Sequence, residues 1–376
     1  MRIGYDAKRL FCNHRGLGNY SRDLIRILSE YYPENQYDLY TPEIKINVQL
    51  NTENTTIIQP DGIYKLLPSS IWRSIGLNAG IKRQGDEIFH GLSQELPFGI
   101  EKLPIKKVIT FHDAIFIRYP ELYPASYRKI FTAKNMRSCR IADRIIAISE
   151  QSKQDAIEFF KADPAKVEVV YQGCNNIFRQ KASADEKKQI KAKYNLPLDY
   201  LLFVGAIEPR KNIASILQAI YQEKIDIPLV VVGRQTDYTA ELENLAKELK
   251  LSAQVHFLHQ VETIDLPAIY QMAQLFVYPS IFEGFGIPIL EALCSKTPVI
   301  TSAGSCFEET GGEYSLYVQP QNAQEIGEAI RKVLFDSNLQ ETMKKEGLIH
   351  AGEFTDDKIA GQLMSLYKNV QNISLK

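Results

Sequence analysis

Two α/β domains, each a parallel sheet with helices on both faces, are what this sequence predicts. Three observations carry that reading. The chain has 376 residues, more than one hydrophobic core usually serves. Short apolar runs alternate with amphipathic patterns of about 10–15 residues along nearly its whole length. Residues 179–195 interrupt that alternation with a Lys-, Ala- and Glu-rich stretch lacking buried-strand character. The expected division is 1–178, a connector at 179–196, a second domain at 197–354 and a closing helix at 355–376.

The first domain opens with a strand at 2–5. A polar loop at 6–19 follows, carrying Gly16-Leu17-Gly18 just ahead of a helix at 20–31. A G-x-G there is a weak phosphate signal, because the loop is longer than a dinucleotide fingerprint and has no third glycine in step. A plain helix-entry turn is the alternative. Strands are expected at 37–40 and 56–59, a helix at 69–79, then buried strands at 87–90 and 107–111. These last two reach His90 and His112. Ligands of open α/β sheets sit beyond the carboxyl ends of the strands, so both histidines, and Asp113 after His112, are candidates for the cleft. A lone histidine is also a common core residue, and His90 suits that description better than His112. The predicted helix at 126–142 holds Arg128, Lys129, Lys134, Arg137 and Arg140 and no acid. Residues 101–150 contain ten Lys/Arg and five Asp/Glu, an excess of 10 − 5 = 5 positive charges. Such a patch suits an anionic lipid surface or an acidic acceptor, or is simply a solvated face. A strand at 144–148, a helix at 150–160 and a strand at 167–171 complete this half.

The second domain repeats the pattern, with strands at 201–204, 228–233, 255–258, 275–278 and 299–301. Helices are expected at 212–221, 239–249 and 266–273, and again at 323–334, 338–351 and 355–370. Composition bounds what such a protein can do. Hydrophobic residues make up 45% and charged residues 24%, an ordinary globular balance. A formal net charge of −1 argues against a nucleic-acid partner. Cys12, Cys139, Cys174, Cys294 and Cys306 are scattered without a C-x-x-C pair, which fits a reducing compartment and neither a disulfide framework nor a zinc site. The first residues lack a signal-peptide core, and no apolar run of about 18 residues occurs. A cytoplasmic protein, at most peripheral at a membrane, is expected.

The richest stretch reads VYPSIFEGFGIPILE. Pro279 and Ser280 stop a strand, Glu283 lies in a loop with Gly284 and Gly286, and Pro288 opens a helix. Amides of Phe285, Gly286 and Ile287 would point out of that helix start and favour a phosphate. Carboxylates repel phosphate, so Glu283 and Glu291, eight positions apart, need another partner. Sugar hydroxyls, which donate to carboxylates, are the natural one. Phosphate plus hydroxyls describes a nucleotide sugar; a strand-to-helix turn with two solvated glutamates is the bland alternative. Upstream, Glu208-Pro209-Arg210-Lys211-Asn212 places two cations after a strand. A guanidinium fork beside a compact ammonium suits a diphosphate, although a basic surface turn would read the same.

With these motifs the chain resembles a family 4 retaining glycosyltransferase, a mannosyltransferase-like member of the group 1 glycosyltransferases. The frame E-G-F-G-I-P-x-L-E matches that family's E-x7-E motif. Gly16-x-Gly18, His112-Asp113, residues 208–212, and Glu309 with Gly312 support it. The resemblance implies the GT-B architecture: two Rossmann-like domains facing each other across a cleft, the first binding acceptor, the second nucleotide sugar. It also implies a C-terminal helix packing back on the first. Glu283 would hold the donor sugar's hydroxyls and Glu291 the ribose. Arg210 and Lys211 would neutralise the diphosphate, helped by the backbone at Phe285, Gly286 and Ile287. His112 would stand at the reacting sugar, and Gly16 and Gly18 would let backbone approach phosphate. Around His90 and Asp113 the acceptor is expected. Ala206 stands where many members have arginine, Glu308 where proline is common, and His259 where glycine is common, which leaves the nucleobase open. The implied activity is transfer of a hexose, mannose first, from a nucleoside-diphosphate sugar such as GDP-mannose to a glycan or lipid-linked acceptor in surface polysaccharide (lipopolysaccharide-type) synthesis. No metal or other cofactor is expected, since no D-x-D occurs and the cations can serve instead. A GT-B nucleotide-sugar epimerase and a non-catalytic nucleotide-sugar-binding subunit are the alternatives.

Overall fold

A computed structural model of the chain describes residues 1–14 and 16–373. They form two compact units: Met1–Gly173 with the C-terminal segment from Asp356, and Cys174–Thr355.

The first unit is built on seven parallel strands: β1 (Arg2–Asp6), β2 (Gln36–Tyr40), β3 (Thr55–Ile58), β4 (Ile88–Gly91), β5 (Lys106–Phe111), β6 (Arg144–Ala147) and β7 (Val167–Val169). Their order is β3-β2-β1-β4-β5-β6-β7. Strand order therefore reverses between β1 and β4, the place where open α/β sheets hold ligands. The central strands are covered on both faces, which is why they read as apolar runs without alternation. On one face, Ile3 and Tyr5 pack with Leu24 and Leu28 of the helix at Gly16–Tyr31 and with Ile359, Leu363 and Tyr367 of the helix Asp356–Gln371. On the other, Trp72, Phe89, Ile109, Phe111 and Phe160 form a second cluster.

Local departures from expectation have local causes. After β1 the chain makes a short helix, α1 (Lys8–Cys12), before α2 (Gly16–Tyr31). The helix expected at 69–79 is broken by a π-helical turn at Trp72–Gly76 before resuming at Leu77–Gln84. A Cβ on Gly76 would lie 2.5 Å from Trp72 Cδ1, so the turn closes onto the indole as only glycine permits. Residues 125–141 form α3 (Ala125–Ile141).

In the second unit α4 (Ala184–Lys193) occupies the stretch read as a connector. Ser183 and Glu186 close a capping box at its start, and none of its residues is buried. That explains its polar sequence: it is a surface helix whose start is fixed by capping. Six parallel strands follow, β8 (Leu201–Val204), β9 (Leu229–Val232), β10 (Val255–Leu258), β11 (Leu275–Tyr278), β12 (Val299–Ser302) and β13 (Leu316–Val318), in the order β10-β9-β8-β11-β12-β13. Here the order reverses between β8 and β11, and both of the motifs singled out above leave the sheet at that point. Two more helices matter below, α5 (Ile287–Cys294) and α6 (Phe307–Gly311). Neither α6 nor β13 is long enough to show a period in the sequence.

Candidate functional site

The carboxyl ends of β8 and β11 bring Arg210, Lys211 and Glu283 together. Glu283 Oε1 accepts from Ser280 Oγ at 2.6 Å, from Tyr278 Oη at 3.0 Å and from Lys211 Nζ, with Arg210 Nη1 at 3.1 Å. Among the described residues every hydrogen bond to this carboxylate goes to Oε1, which leaves Oε2 to accept from elsewhere. Lys211 Nζ also donates to Tyr278 Oη at 2.8 Å. Arg210 donates Nη2 to Glu208 Oε1 at 2.6 Å and Nη1 to the Phe282 carbonyl. Neither cation is therefore an open surface charge. With Glu208 they complete a cluster of two positive and two negative groups, of which only Glu208 is substantially exposed, its side chain at 40%.

Burial by itself would raise the carboxyl pKa of Glu283, but the charges of Lys211 and Arg210 and the surrounding donors overcome it and hold it down at about 2. Glu283 is thus a fixed anion at neutral pH, suited to accept hydrogen bonds and unsuited to act as an acid. Burial pushes the Lys211 ammonium down, against the pull of Glu283. The hydroxyl of Tyr278, buried and beside Glu283, stays well above its usual range and remains a neutral donor.

Gly286 is the residue before α5 and takes φ +98, a left-handed conformation costly for any residue with a Cβ. Pro288 falls in the first turn of that helix. The loop is fastened from α6 and the two residues before it: Thr310 Oγ1 bonds the Phe285 carbonyl at 2.5 Å, and Ser305 Oγ and Cys306 Sγ reach the Glu283 carbonyl at 3.3 Å. Phe285 itself is buried, so it offers a ligand backbone only, and the helix start leaves amides without intrahelical acceptors. About one turn into α5, Glu291 Oε2 accepts from Tyr270 Oη at 3.0 Å. The two glutamates thus stand on the loop and on the helix of a single strand–loop–helix segment.

In the first unit the predicted residues separate. His112, just past β5, is 4% exposed. Its Nε2 meets the Leu92 carbonyl at 2.8 Å. A carbonyl can only accept, so the proton is on Nε2 and Nδ1 presents a lone pair, for which the described residues supply no hydrogen-bond partner. Burial, outweighing the Leu92 hydrogen bond, lowers its pKa to about 4. The ring of Tyr20 stands edge-on to it at 4.8 Å. Asp113 Oδ1 caps the amide of Ile115 at 3.0 Å. His90 corrects the sequence reading. It is fully buried, with Nδ1 on Tyr367 Oη at 2.7 Å and Nε2 on Thr110 Oγ1 at 2.8 Å. Both ring nitrogens are consumed inside the core, so His90 offers an acceptor nothing. Its place in the middle of β4, between Tyr5 and Val108 in the register, is why.

The two early glycines also differ. A Cβ at Gly18 would lie 1.8 Å from the Asn13 carbonyl oxygen, whereas one at Gly16 meets nothing within 4 Å. Gly18 is required by the chain's own packing; Gly16 alone leaves room for something else to approach. The residues whose roles sequence reasoning missed are Ser280 and Tyr278, which fix Glu283, Tyr270, which fixes Glu291, and Thr310, which ties the loop. Ser280 and Tyr278 lie inside the quoted stretch, but their aim becomes visible only in three dimensions. Among the described residues no group of His, Cys, Asp and Glu is arranged to hold a metal ion. Among the described residues no helix is long and apolar enough to cross a membrane.

Known proteins bear on this geometry. The profile of the family described as glycosyl transferases group 1 matches residues 185–349, and that of glycosyltransferase family 4 matches residues 15–176. The chain is 30% identical over 288 residues to O-antigen chain mannosyltransferase B of Escherichia coli, covering 75% of this chain and 74% of that one. It is 29% identical to O-antigen chain mannosyltransferase RfbU of Salmonella typhimurium, over 82% and 80% of the two chains. Among solved structures, sucrose-phosphate synthase from Thermosynechococcus elongatus superposes with a TM-score of 0.81 at 23% identity, covering 98% of this chain and 99% of that one.

Proposed function

Because the chain belongs to family 4 of the group 1 glycosyltransferases, and is therefore a glycosyltransferase of GT-B fold, we propose that it transfers a mannosyl residue from a nucleoside-diphosphate sugar. The acceptor is a hydroxyl of a glycan or lipid-linked saccharide in surface polysaccharide synthesis, and the anomeric configuration is retained. The mannosyltransferase names of the relatives support the sugar and the pathway. The observation that carries the site is the one-sided binding of Glu283, an ionised carboxylate with Oε1 clamped by four side chains and Oε2 available to sugar hydroxyls.

On this reading the donor lies along the carboxyl ends of β8 and β11. Its diphosphate meets Arg210 and Lys211 and the amides at Gly286 and Ile287. Glu291, oriented by Tyr270, accepts from the ribose. Departure of the diphosphate leaves an oxocarbenium-like sugar and builds negative charge on the leaving group. Cations already held in place stabilise that charge without reorganising. Since they supply the positive charge, the reaction as proposed uses no metal. Glu283 does not attack the sugar: its low pKa makes it a poor nucleophile, and its hydrogen bonds orient it to position hydroxyls. The acceptor proton passes to the donor phosphate on the same face of the sugar. In the first unit His112 Nδ1 accepts from a sugar hydroxyl, and Gly16 leaves backbone accessible to phosphate.

The protein acts in the cytoplasm, and α3, with Lys129, Ile130, Met136 and Arg140 exposed and no acid in its sequence, rests against anionic lipid. Co-sedimentation with phosphatidylglycerol vesicles but not phosphatidylcholine vesicles tests that placement. For the donor, a thermal-shift panel is decisive, because a ligand of the folded state raises its stability. GDP-mannose should raise the midpoint more than UDP- or dTDP-sugars, and transfer should fail in Glu283→Ala. No shift with any sugar nucleotide at millimolar concentration would remove the reading.

A further inference from the structure

The two cations placed at the diphosphate already face two carboxylates. Arg210 and Lys211 pair with Glu283, and Arg210 also with Glu208, so the cluster of four is neutral as it stands. A neutral cluster gives an arriving diphosphate little net Coulomb attraction, so one carboxylate must yield to it. The two are held very differently. The Glu283 side chain is 12% exposed, and its Oε1 accepts from Ser280, Tyr278 and Lys211. The Glu208 side chain is 40% exposed, and among the described residues its carboxylate has a single hydrogen-bond or ion-pair partner, Arg210 Nη2 at 2.6 Å. Around Glu208 the backbone is fixed. Ile207 is fully buried, and its carbonyl accepts from Thr236 Oγ1 at 2.6 Å. Pro209 follows with its locked φ, and the Glu208 carbonyl accepts from the Lys211 amide at 3.0 Å. What can move is the Glu208 side chain, and rotation carries its carboxylate into water. Arg210 would not follow it, because Nη1 stays on the Phe282 carbonyl and beside Glu283 Oε1 at 3.1 Å.

We propose that Glu208 is an exchangeable counter-ion: it holds Arg210 Nη2 until the donor's diphosphate arrives, and the diphosphate then takes that donor while the Glu208 carboxylate turns out to solvent. This rests on the reading above that the diphosphate meets Arg210. The exchange is easy in one direction and useful in the other. A carboxylate already exposed regains its hydration on leaving, and ion pairs of that exposure are weak, whereas a phosphate oxygen offers the guanidinium fork a stronger partner. After transfer Glu208 competes for the same donor and speeds departure of the nucleoside diphosphate. Glu208 is thus a positioning residue for Arg210 that also limits how tightly the product is held.

Titration calorimetry of the full-length protein with GDP and, in parallel, with UDP tests the exchange, and stopped-flow displacement gives the dissociation rate. Glu208→Gln should bind the preferred nucleoside diphosphate about tenfold tighter and release it correspondingly more slowly, because a like charge beside the phosphates is gone. The gain should shrink as salt is raised. Glu208→Ala, which also removes the hydrogen bond to Arg210, should tighten binding too, whereas Glu208→Asp keeps the charge and should bind no tighter than wild type. Circular dichroism establishes that the variants fold. A residue that merely oriented Arg210 would give the opposite sign, so unchanged or weaker binding by Glu208→Gln and Glu208→Ala would overturn the exchange. Arg210→Gln separates the two readings. If it weakens nucleotide binding while the Glu208 variants fail to tighten it, only the exchange falls. If it has no effect, or if wild type binds neither nucleotide at millimolar concentration, the placement of the diphosphate falls and the exchange with it.

Discussion

Replacing Glu283 with glutamine removes one charge and little shape, and it tests the electrostatic reading of the site. The side chain of Glu283 is 12% exposed, that of Lys211 9% and that of Arg210 15%. In Glu283→Gln these two cations keep Glu208 as their only carboxylate partner among the described residues. Removing one member of a buried ion pair costs about 3–5 kcal/mol, because the remaining charge stays desolvated. At roughly 2–4 °C per kcal/mol for a unit of this size, the midpoint should fall by roughly 6–20 °C. The sign with pH follows from the depressed carboxyl. The folded state holds Glu283 at about 2, so its stabilisation is complete above the unfolded carboxylate range and fades as pH drops toward 2. Differential scanning fluorimetry of both proteins at pH 7, with and without GDP, makes the comparison. A diphosphate supplies the charge that glutamine lacks, so GDP should raise the midpoint of the variant more than that of wild type. Transfer activity should be lost in either case, since glutamine cannot offer sugar hydroxyls an anionic oxygen. An unchanged midpoint, or a smaller GDP shift in the variant, would refute the claim that Glu283 and the diphosphate share the same cations.

Other expectations follow from single contacts. His90 and His112 have pKa values lowered chiefly by burial, to about 3 and about 4. Unfolding between pH 7 and 5 therefore takes up protons that the folded state refuses, and urea titrations should show roughly 4 kcal/mol less stability at pH 5 than at pH 7; a flat profile would contradict it. Gly18→Ala should destabilise by about 1–3 kcal/mol or more, because its methyl would overlap the Asn13 carbonyl. Gly16→Ala should fold normally by the same assay yet raise KM for the donor, if backbone at Gly16 approaches phosphate. Ser280→Ala removes a 2.6 Å donor from Glu283 and should cost about 1.5–3 kcal/mol of unfolding free energy, with Ser280→Thr recovering most of it.

The fold was legible because the central strands of both sheets are covered on two sides, and such strands are written as apolar runs between helical periods. The strand–loop–helix order around Glu283 was equally legible, since the glycines mark a loop and proline suits the first turn of a helix. What sequence could not supply was direction. His90 and His112 look alike, each at a strand end, yet register places His90 between Tyr5 and Val108 with both nitrogens consumed, while His112 sits one residue beyond its strand with Nδ1 open. Gly16 and Gly18 form one motif on paper, but only the backbone's return at Asn13 assigns Gly18 to packing. Ser280, Tyr278 and Tyr270 carry no spacing that marks them; they matter because β11, the loop after it and the helix before it aim their hydroxyls at two carboxylates. Local sequence determines backbone conformation and burial through steric and hydrophobic preferences that act over a few residues. Which atom of a side chain is satisfied, and which is left to a ligand, depends on neighbours that are dozens or hundreds of residues away, and that only the tertiary structure decided.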